Sequence, residues 1–359
     1  MQNHLQVESV KLKNERDLRD YFASHAKPVC MHRIGIEAEF LAVERKTGRA
    51  VGYTGKNGIA QILSALASLH YYHPVKQGDY IIALNRKDLS VSLEPGGQIE
   101  LSAPPVSTVF QAEEQVKQFV QQLKSVEKKI LSVQFLSTGI QPFSRVDEID
   151  WMPKDRYKIM RRRLVEHGAL SHWMMKMTAT NQVNFDYADE EDAARKMRAA
   201  LFATPVAAAL FSNSSFSEGV LNGYRSLRMQ IWRETDKTRS GFLTQFLKGG
   251  WFFRDYLDYV LDIPMLFIIR GKKYVEVKGI TFRQYIRSGY EGAEATLADF
   301  ELHLTAVFPD VRLKQYLEVR CVDAQSPERI TAVTAFWKGL LYSKTAIDSI
   351  FRLFKKVSE

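Results

Sequence analysis

Polar and apolar positions along the chain alternate with two periods. The shorter is clearest in Ser92-Leu93-Glu94-Pro95-Gly96-Gly97-Gln98-Ile99-Glu100-Leu101-Ser102. Gln98, Glu100 and Ser102 alternate with Ile99 and Leu101, the pattern of a half-buried strand with its polar side chains on one face. Pro95-Gly96-Gly97 breaks regular pairing and lets backbone approach a neighbour closely. Arg33 to Glu44 alternates in the same way and puts Glu37 and Glu39 on one face. Two further stretches share the pattern: Thr178 to Asp186, with Thr180, Gln182 and Asn184 on one side, and Tyr316 to Arg320, with Glu318 beside Arg320. Shorter strands are expected at 80–84, 133–140 and 265–269.

The longer period marks helices. One is expected over 11–25. Another covers 57–70, with Ile59, Ile62, Leu63, Leu66 and Leu69 as its stripe. A third starts at a Ser107 cap and runs to about Leu131. A basic helix follows Pro153, a long one spans Glu190 to about Leu210 with an interruption near Pro205, and others cover 253–261, 281–286 and 327–354. Between Phe211 and Gly241 the pattern is irregular and dense in Arg225, Arg228, Trp232, Arg233, Asp236, Lys237 and Arg239, the furniture of a functional loop. With no repeat or break in composition, residues 1–359 read as one mixed α and β domain.

Composition changes this picture little. Hydrophobic residues at 45% and charged ones at 25% are ordinary for a globular chain. No apolar run approaches a membrane span, and the polar N-terminus has no signal-peptide core, so a cytoplasmic location is expected. Cys30 and Cys321 are too few for a disulfide framework. The net charge of +9 favours anionic partners. Lys158-Ile159-Met160-Arg161-Arg162-Arg163 is nevertheless a solvated helix face, with no nucleic-acid motif beside it.

Charge placement is more informative. Glu37 and Glu39 are same-face neighbours among apolar residues; they suit either an acidic edge strand that resists aggregation or a cation site. The cation reading is preferred because Ile34, Ile36, Phe40 and Leu41 flank them as buried residues would. Adding Glu94, Glu100 and Glu318 gives an oxygen-only donor set, which favours Mg²⁺ or Mn²⁺ over zinc. Mg²⁺ commonly shares its shell with substrate phosphates, which points to a nucleotide. No Walker A sequence is present; Gly55-Lys56-Asn57-Gly58 is only a glycine-rich turn.

Several motifs also carry a resemblance: IGIEAEF, SLEPGGQIELSAPP, MPKDRYKIM, QVNFD, ALFSNSSFSEGVLNGYRSLRMQIWRETDKTRSGFL, TFRQYI, FPDVRLKQYLEVR and AFWKGLLY. In this order, from about residue 33 to 342, they resemble the glutamate–cysteine ligases of plants and proteobacteria. The resemblance implies an α+β, glutamine-synthetase-like fold, in which an antiparallel sheet forms a funnel with helices on its back. It implies ATP as cosubstrate and Mg²⁺ (or Mn²⁺) held by Glu37, Glu39, Glu94, Glu100 and Glu318. Arg320 would be the catalytic, phosphate-facing residue. Arg156, Thr180, Arg228 and Trp232 would bind glutamate, with Gln182 and Asn184 beside the metals. Small-molecule partners follow (glutamate, cysteine and ATP), with no nucleic acid or membrane, in a monomer or homodimer. The chain is shorter at both ends than the plant enzymes and lacks obvious counterparts of their redox-regulatory cysteines. Cys321 stands where the family often has glycine.

Joining a carboxylate to an amine in water needs activation, which ATP supplies through a γ-glutamyl phosphate. Metal-bridged phosphates and Arg320 would stabilise the transferring charge. Two rivals remain: a ligase of the same superfamily with a different amine or acid, and a non-catalytic binder on this fold. The amine acceptor is not legible in the pattern, because it depends on pocket shape.

Overall fold

The structure, a computed structural model, describes residues 10–87, 89–251 and 253–355. Its strands in chain order are β1 Ile34–Glu44, β2 His73–Gln77, β3 Tyr80–Arg86, β4 Leu89–Leu93, β5 Gln98–Ser102, β6 Val133–Leu136, β7 Asn181–Phe185, β8 Phe216–Ser217, β9 Val220–Leu221, β10 Ser240–Gly241, β11 Phe267–Arg270, β12 Lys273–Glu276, β13 Phe308–Pro309, β14 Val311–Leu313 and β15 Leu317–Val319. The helices are α1 Ile59–His70, α2 Val109–Lys129, α3 Asp155–Leu164, α4 Ser171–Met177, α5 Glu190–Leu210, α6 Leu227–Arg233, α7 Phe253–Leu261, α8 Phe282–Ser288, α9 Leu297–Leu304, α10 Pro327–Leu341 and α11 Lys344–Leu353.

Nine strands form one antiparallel sheet in the order β14-β15-β7-β1-β5-β4-β3-β2, with β6 also paired to β1. The sheet is open. Its two faces differ as the alternation demands. Ile34, Ile36, Ala38 and Phe40 point one way with Ile99, Leu101, Val183, Phe185, Leu317 and Val319, all buried, and helices α1, α2, α5 and α10 cover that side. Phe40 meets Phe119 of α2 with ring centroids 5.7 Å apart. The polar members of the same strands share the opposite face. A central strand carrying Glu37 and Glu39 disposes of the edge-strand alternative, since β1 is paired on both sides.

Several boundaries differ from the sequence pattern. Residues 11–25 form two short 3₁₀ turns, Glu15–Leu18 and Ala23–His25, rather than an amphipathic helix. A reciprocal cap between Asn14 and Asp17 tightens the first turn, and Leu18 and Phe22 are buried from turns instead of from a stripe. The cap of α2 is Thr108, not Ser107. Its side chain accepts from Gln111 N while the Gln111 side chain returns to the cap, and Leu131 lies beyond the helix, exposed. Pro205 does not interrupt α5. It sits on the exposed side, and burial of Ala199, Ala200, Leu201, Ala203 and Ala207 outweighs the lost backbone bond. The C-terminal helix is two, separated at Ser343, whose side chain caps α11 through Ala346 N at 3.3 Å. Strands β2 and β14 and helices α4, α6 and α9 were not evident from the pattern. The basic run lies on α3, where Arg162 pairs with Glu276 and Arg163 with Glu166.

The Pro95-Gly96-Gly97 bend meets the backbone of Lys176 at the end of α4. A Cβ on Gly96 would lie 2.0 Å from the Lys176 carbonyl oxygen, and Gly97 has φ +93°. Gln98 fastens the bend: its side-chain oxygen accepts from Gly96 N at 2.9 Å, and its amide donates to Thr178 O at 2.8 Å and Met175 O at 3.3 Å. Gly96→Ala is therefore expected to lower stability by about 3 kcal/mol, since rigid backbone must give way. Urea denaturation would check it; a change within experimental error would show that the bend tolerates a side chain.

Candidate active site

The polar face is built from transverse rows. Across β1, β5 and β4, Glu39 lies opposite Glu100, and Glu100 opposite Ser92. The next row runs Gln182, Glu37, Ser102 and Ser90, and beyond it Asn184 lies opposite both Gly35 and Glu318. Glu94 joins from the bend: Ser92 Oγ reaches Glu94 Oε1 at 3.1 Å and Glu100 Oε1 at 3.0 Å. Glu39 accepts from Thr180 N at 2.9 Å, and Glu37 from Asn184 Nδ2 at 3.1 Å. A Cβ on Gly35 would press Asn184 at 3.3 Å, so the absent side chain there leaves that amide room to lie over β1.

Crowding like charges has electrostatic consequences. Burial pushes Glu39 up to about 8, with Glu94 adding to it and Arg228, the Thr180 N–H and Arg320 opposing. Glu100 is raised well above the usual carboxylate range by burial and by Glu94, Glu37 and Glu39. Glu37 is raised by burial and by Glu318, against Lys314, Asn184 and Arg312. Glu318 behaves oppositely. Burial would raise it, but Arg312, Arg320 and Lys314 overcome that and hold it well below the ordinary value. Both its oxygens are engaged, Oε2 by Arg312 Nε at 2.5 Å and Oε1 by Arg320 Nη1 at 3.2 Å. Among the described residues, Glu37, Glu39, Glu94 and Glu100 have no ion pair of the kind that Glu318 makes with Arg312 and Arg320.

Those four carboxyls fit a hard divalent cation in donor type, and the raised values of Glu37, Glu39 and Glu100 show that the site disfavours their ionised forms without positive charge beside them. They do not make a closed cage: among the described residues, no three His, Cys, Asp or Glu side chains are gathered as a ready-made metal site. Such a set suits an ion that completes its shell with ligands from a bound molecule.

Beside the carboxyls lies a cationic group, whose Arg228 and Arg320 both act on Glu39. Arg320 donates to the Gln182 side-chain oxygen as well as to Glu318. Its guanidinium lies over the Trp232 ring at 5.8 Å, and that of Arg228 lies over the same ring at 5.6 Å. Arg228 Nη2 donates to Arg320 O at 3.0 Å. Residues 228 and 232 meet because α6 places them one turn apart within the stretch that looked irregular in sequence. Arg228 Nε and Trp232 Nε1 are buried donors with no partner among the described residues, a costly state unless a further group supplies an acceptor. Thr180 offers less than expected: its hydroxyl donates to Val322 O at 2.6 Å, leaving its N–H on Glu39. Arg156 is turned elsewhere, with Nη2 3.4 Å from Thr305 Oγ1 and its guanidinium over Phe267 at 5.4 Å.

Four site groups escaped the sequence reading. Arg312 neutralises Glu318 from β14, a three-residue strand too short to show a period. Lys154 and Tyr157, at the start of α3, reach under the bend: Tyr157 OH donates to Leu93 O at 2.9 Å and to Glu94 Oε2 at 3.4 Å. Burial lowers Lys154 to about 8 despite Glu94 nearby. Asp310 is buried beside the arginines with one oxygen unpaired. Only the K-x-x-Y spacing of Lys154 and Tyr157 could have flagged any of them. Arg239, grouped in sequence with the loop cations, belongs to the core: it pairs with Asp236 at 2.7 Å and is fully buried.

Comparison with known proteins decides the family. The profile of glutamate-cysteine ligase family 2 (GCS2) matches residues 33–359. The chain belongs to this glutamate–cysteine ligase family. The chloroplastic glutamate–cysteine ligases of Nicotiana tabacum and Arabidopsis thaliana are each 42% identical to it, over 94% of the chain and 64% of their own length. The chain thus spans just under two thirds of these relatives. A solved glutamate–cysteine ligase from Francisella tularensis, in complex with AMP, shares the fold with a TM-score of 0.51 at 13% identity, covering 88% of this chain and 66% of that one. The mixed helix and antiparallel-sheet class expected from sequence is therefore established. The cytoplasmic expectation is overturned, since these relatives are chloroplastic proteins; the absence of a signal-peptide core is no guide to plastid location. Among the described residues, no helix is long and apolar enough to cross a membrane.

Proposed function

We propose that residues 1–359 act as one catalytic unit that joins the glutamate γ-carboxylate to the amino group of cysteine at the expense of ATP. The observation that carries this reading is the apposition of an acidic floor (Glu37, Glu39, Glu94, Glu100) to a cationic wall (Arg228, Arg320, Trp232) with unpartnered donors. Mg²⁺ or Mn²⁺ held by the acidic floor would neutralise charge developing on the ATP phosphates. Glu318 serves the arginines, fixing Arg320 so that its guanidinium faces the phosphoryl group in transfer. Arg228 and the Trp232 N–H grip a substrate carboxylate, a geometry that a forked guanidinium suits better than a point charge. Gln182 and Asn184 orient Arg320 and Glu37, and the Thr180 N–H holds Glu39; Arg156, turned toward Thr305 and Phe267, takes no part.

In this reaction the γ-phosphoryl group moves from ATP to the γ-carboxylate, and ADP leaves. The neutral amine attacks the acyl carbon, phosphate leaves with one former glutamate oxygen, and the nitrogen loses a proton. Positioning supplies most of the acceleration of the second step. An adenine nucleotide fits the AMP complex of the structural relative.

The test is glutamate labelled with ¹⁸O in its side-chain carboxylate, supplied with ATP and cysteine. One labelled oxygen is expected in the released phosphate, with γ-glutamylcysteine formed. Product without transferred label rejects the acyl-phosphate route. Product with another amine only keeps the chemistry and changes the acceptor, and no product with any amine leaves a binder.

A further inference from the structure

We infer that Asp323 is the positioning residue for the amino-acid grip: its carboxylate, acting through two serine hydroxyls, sets the helix that carries Arg228 and Trp232. The inference rests on the preceding reading of Arg228. Asp323 is 1% exposed, in the loop that follows β15, and lies opposite Thr180 in an isolated bridge. Three donors converge on it. Asn213 N and Ser214 Oγ meet Oδ2 at 2.6 and 2.7 Å, and Ser226 Oγ meets Oδ1 at 2.8 Å. Only a carboxylate accepts from all three without presenting a donor of its own.

Each serine then turns a lone pair to the first turn of α6. Arg228 N donates to Ser214 Oγ at 3.2 Å, and Met229 N donates to Ser226 Oγ, the helix cap, at 3.2 Å. The hydroxyl protons are committed to Asp323, so the orientation of both serines is fixed by that one anion. Negative charge behind the N-terminus of α6 also suits the helix dipole. Arg228 and Trp232 ride on this helix, and the Arg228 side chain is tied to the same loop through Arg320 O. Residues 320–323 therefore grip α6 at its cap and at its functional arginine. Close packing supports the arrangement: a Cβ on Gly139 would lie 2.4 Å from Asp323 Cγ, and Gly139 N holds Asn213 O at 2.9 Å. Because Asp323 is buried beneath the serines, its effect on glutamate is transmitted through α6.

The experiment compares Asp323→Asn, Ser226→Ala, Arg228→Ala and the Asp323→Asn/Arg228→Ala double variant in the full chain. Glutamate and ATP are varied separately, and the folded state is checked by thermal melting. Asp323→Asn places a donor against a donor and displaces α6; a shift near 1 Å costs about a hundredfold in kcat/KM for glutamate. KM for ATP is expected to stay unchanged. Ser226→Ala removes one link without burying an unpaired charge and is expected to show a smaller loss of the same kind. In the double variant, the Asp323 effect should vanish into that of Arg228. Equal losses for glutamate and ATP, additive effects, or a silent Ser226→Ala would overturn the inference. If Asp323→Asn does not fold, the Ser226→Ala kinetics, alone and combined with Arg228→Ala, decide the matter by the same criteria. If Arg228→Ala itself leaves glutamate use untouched, the substrate reading fails; if it impairs glutamate use and Asp323→Asn does not, only the positioning role fails.

Discussion

Glu100→Gln is expected to reduce turnover at least about a thousandfold while raising the melting temperature of the unliganded chain. The two effects share a cause. Glu100 faces Glu39 across the strand pair, shares Ser92 with Glu94, and is held well above its ordinary ionisation range. Ionising it is costly in the empty site and, on the proposed reading, becomes favourable when a divalent cation is bound. The amide keeps the shape and an acceptor for Ser92 while removing the charge. Turnover at saturating Mg²⁺ and a melting curve in chelator would check both halves. Retained turnover would remove Glu100 from the cation floor, and a lowered melting temperature would mean that repulsion among these carboxyls is not what the folded chain bears.

Arg239→Met is expected to cost about 3–5 kcal/mol, roughly 4–7 °C in Tm for a chain of 359 residues. Both partners of the Asp236–Arg239 pair are buried, and Arg239 also donates to Ala306 O at 3.1 Å and Pro264 O at 2.7 Å. Substitution leaves an uncompensated carboxylate and two carbonyls without donors. Asp236→Leu on the same background should recover part of the loss, because the pair contributes less than either half costs when stranded. Chemical denaturation of the single and double variants measures this. A single-variant loss below about 1 kcal/mol would show that water reaches Asp236.

What the sequence disclosed follows the physics of periodicity. A strand announces its faces every second residue, so Glu37, Glu39, Glu100, Gln182, Asn184 and Glu318 could be placed on one surface before any coordinates. Arg228 and Trp232 were legible only as members of a cationic stretch and by resemblance, since α6 has too few residues to show a stripe. Arg312 and Asp310 belong to strands and turns of two or three residues, where no period exists to be read. Charge neutralisation is a property of pairs: nothing in the one-dimensional pattern separates Glu318, which has two arginines, from Glu100, which has none so close. Pro205 and residues 11–25 misled for the converse reason, because tertiary burial overrode a local preference in one and substituted turns for a helix in the other.

The pinned bend at Pro95-Gly96-Gly97 also bears on how the chain avoids misfolding. A one-residue slip of β5 against β1 would be rejected at once, because it would exchange Leu101 for Glu100 in the apolar layer. A two-residue slip is the dangerous error. In the direction that sets Ser102 opposite Glu39, it keeps every apolar side chain on its proper side and moves Glu100 opposite Leu41, so the empty site would electrostatically prefer it. What opposes it is remote from the charges: Gln98 is bonded to Met175 O and Thr178 O, and Gly96 has space for nothing but hydrogen against Lys176. The bend therefore acts as a registration pin that holds two acidic strands in an alignment their own charges resist. Loosening it, by Gln98→Ala for instance, would trade the working alignment for a quieter one, and added divalent cation would pull the population back.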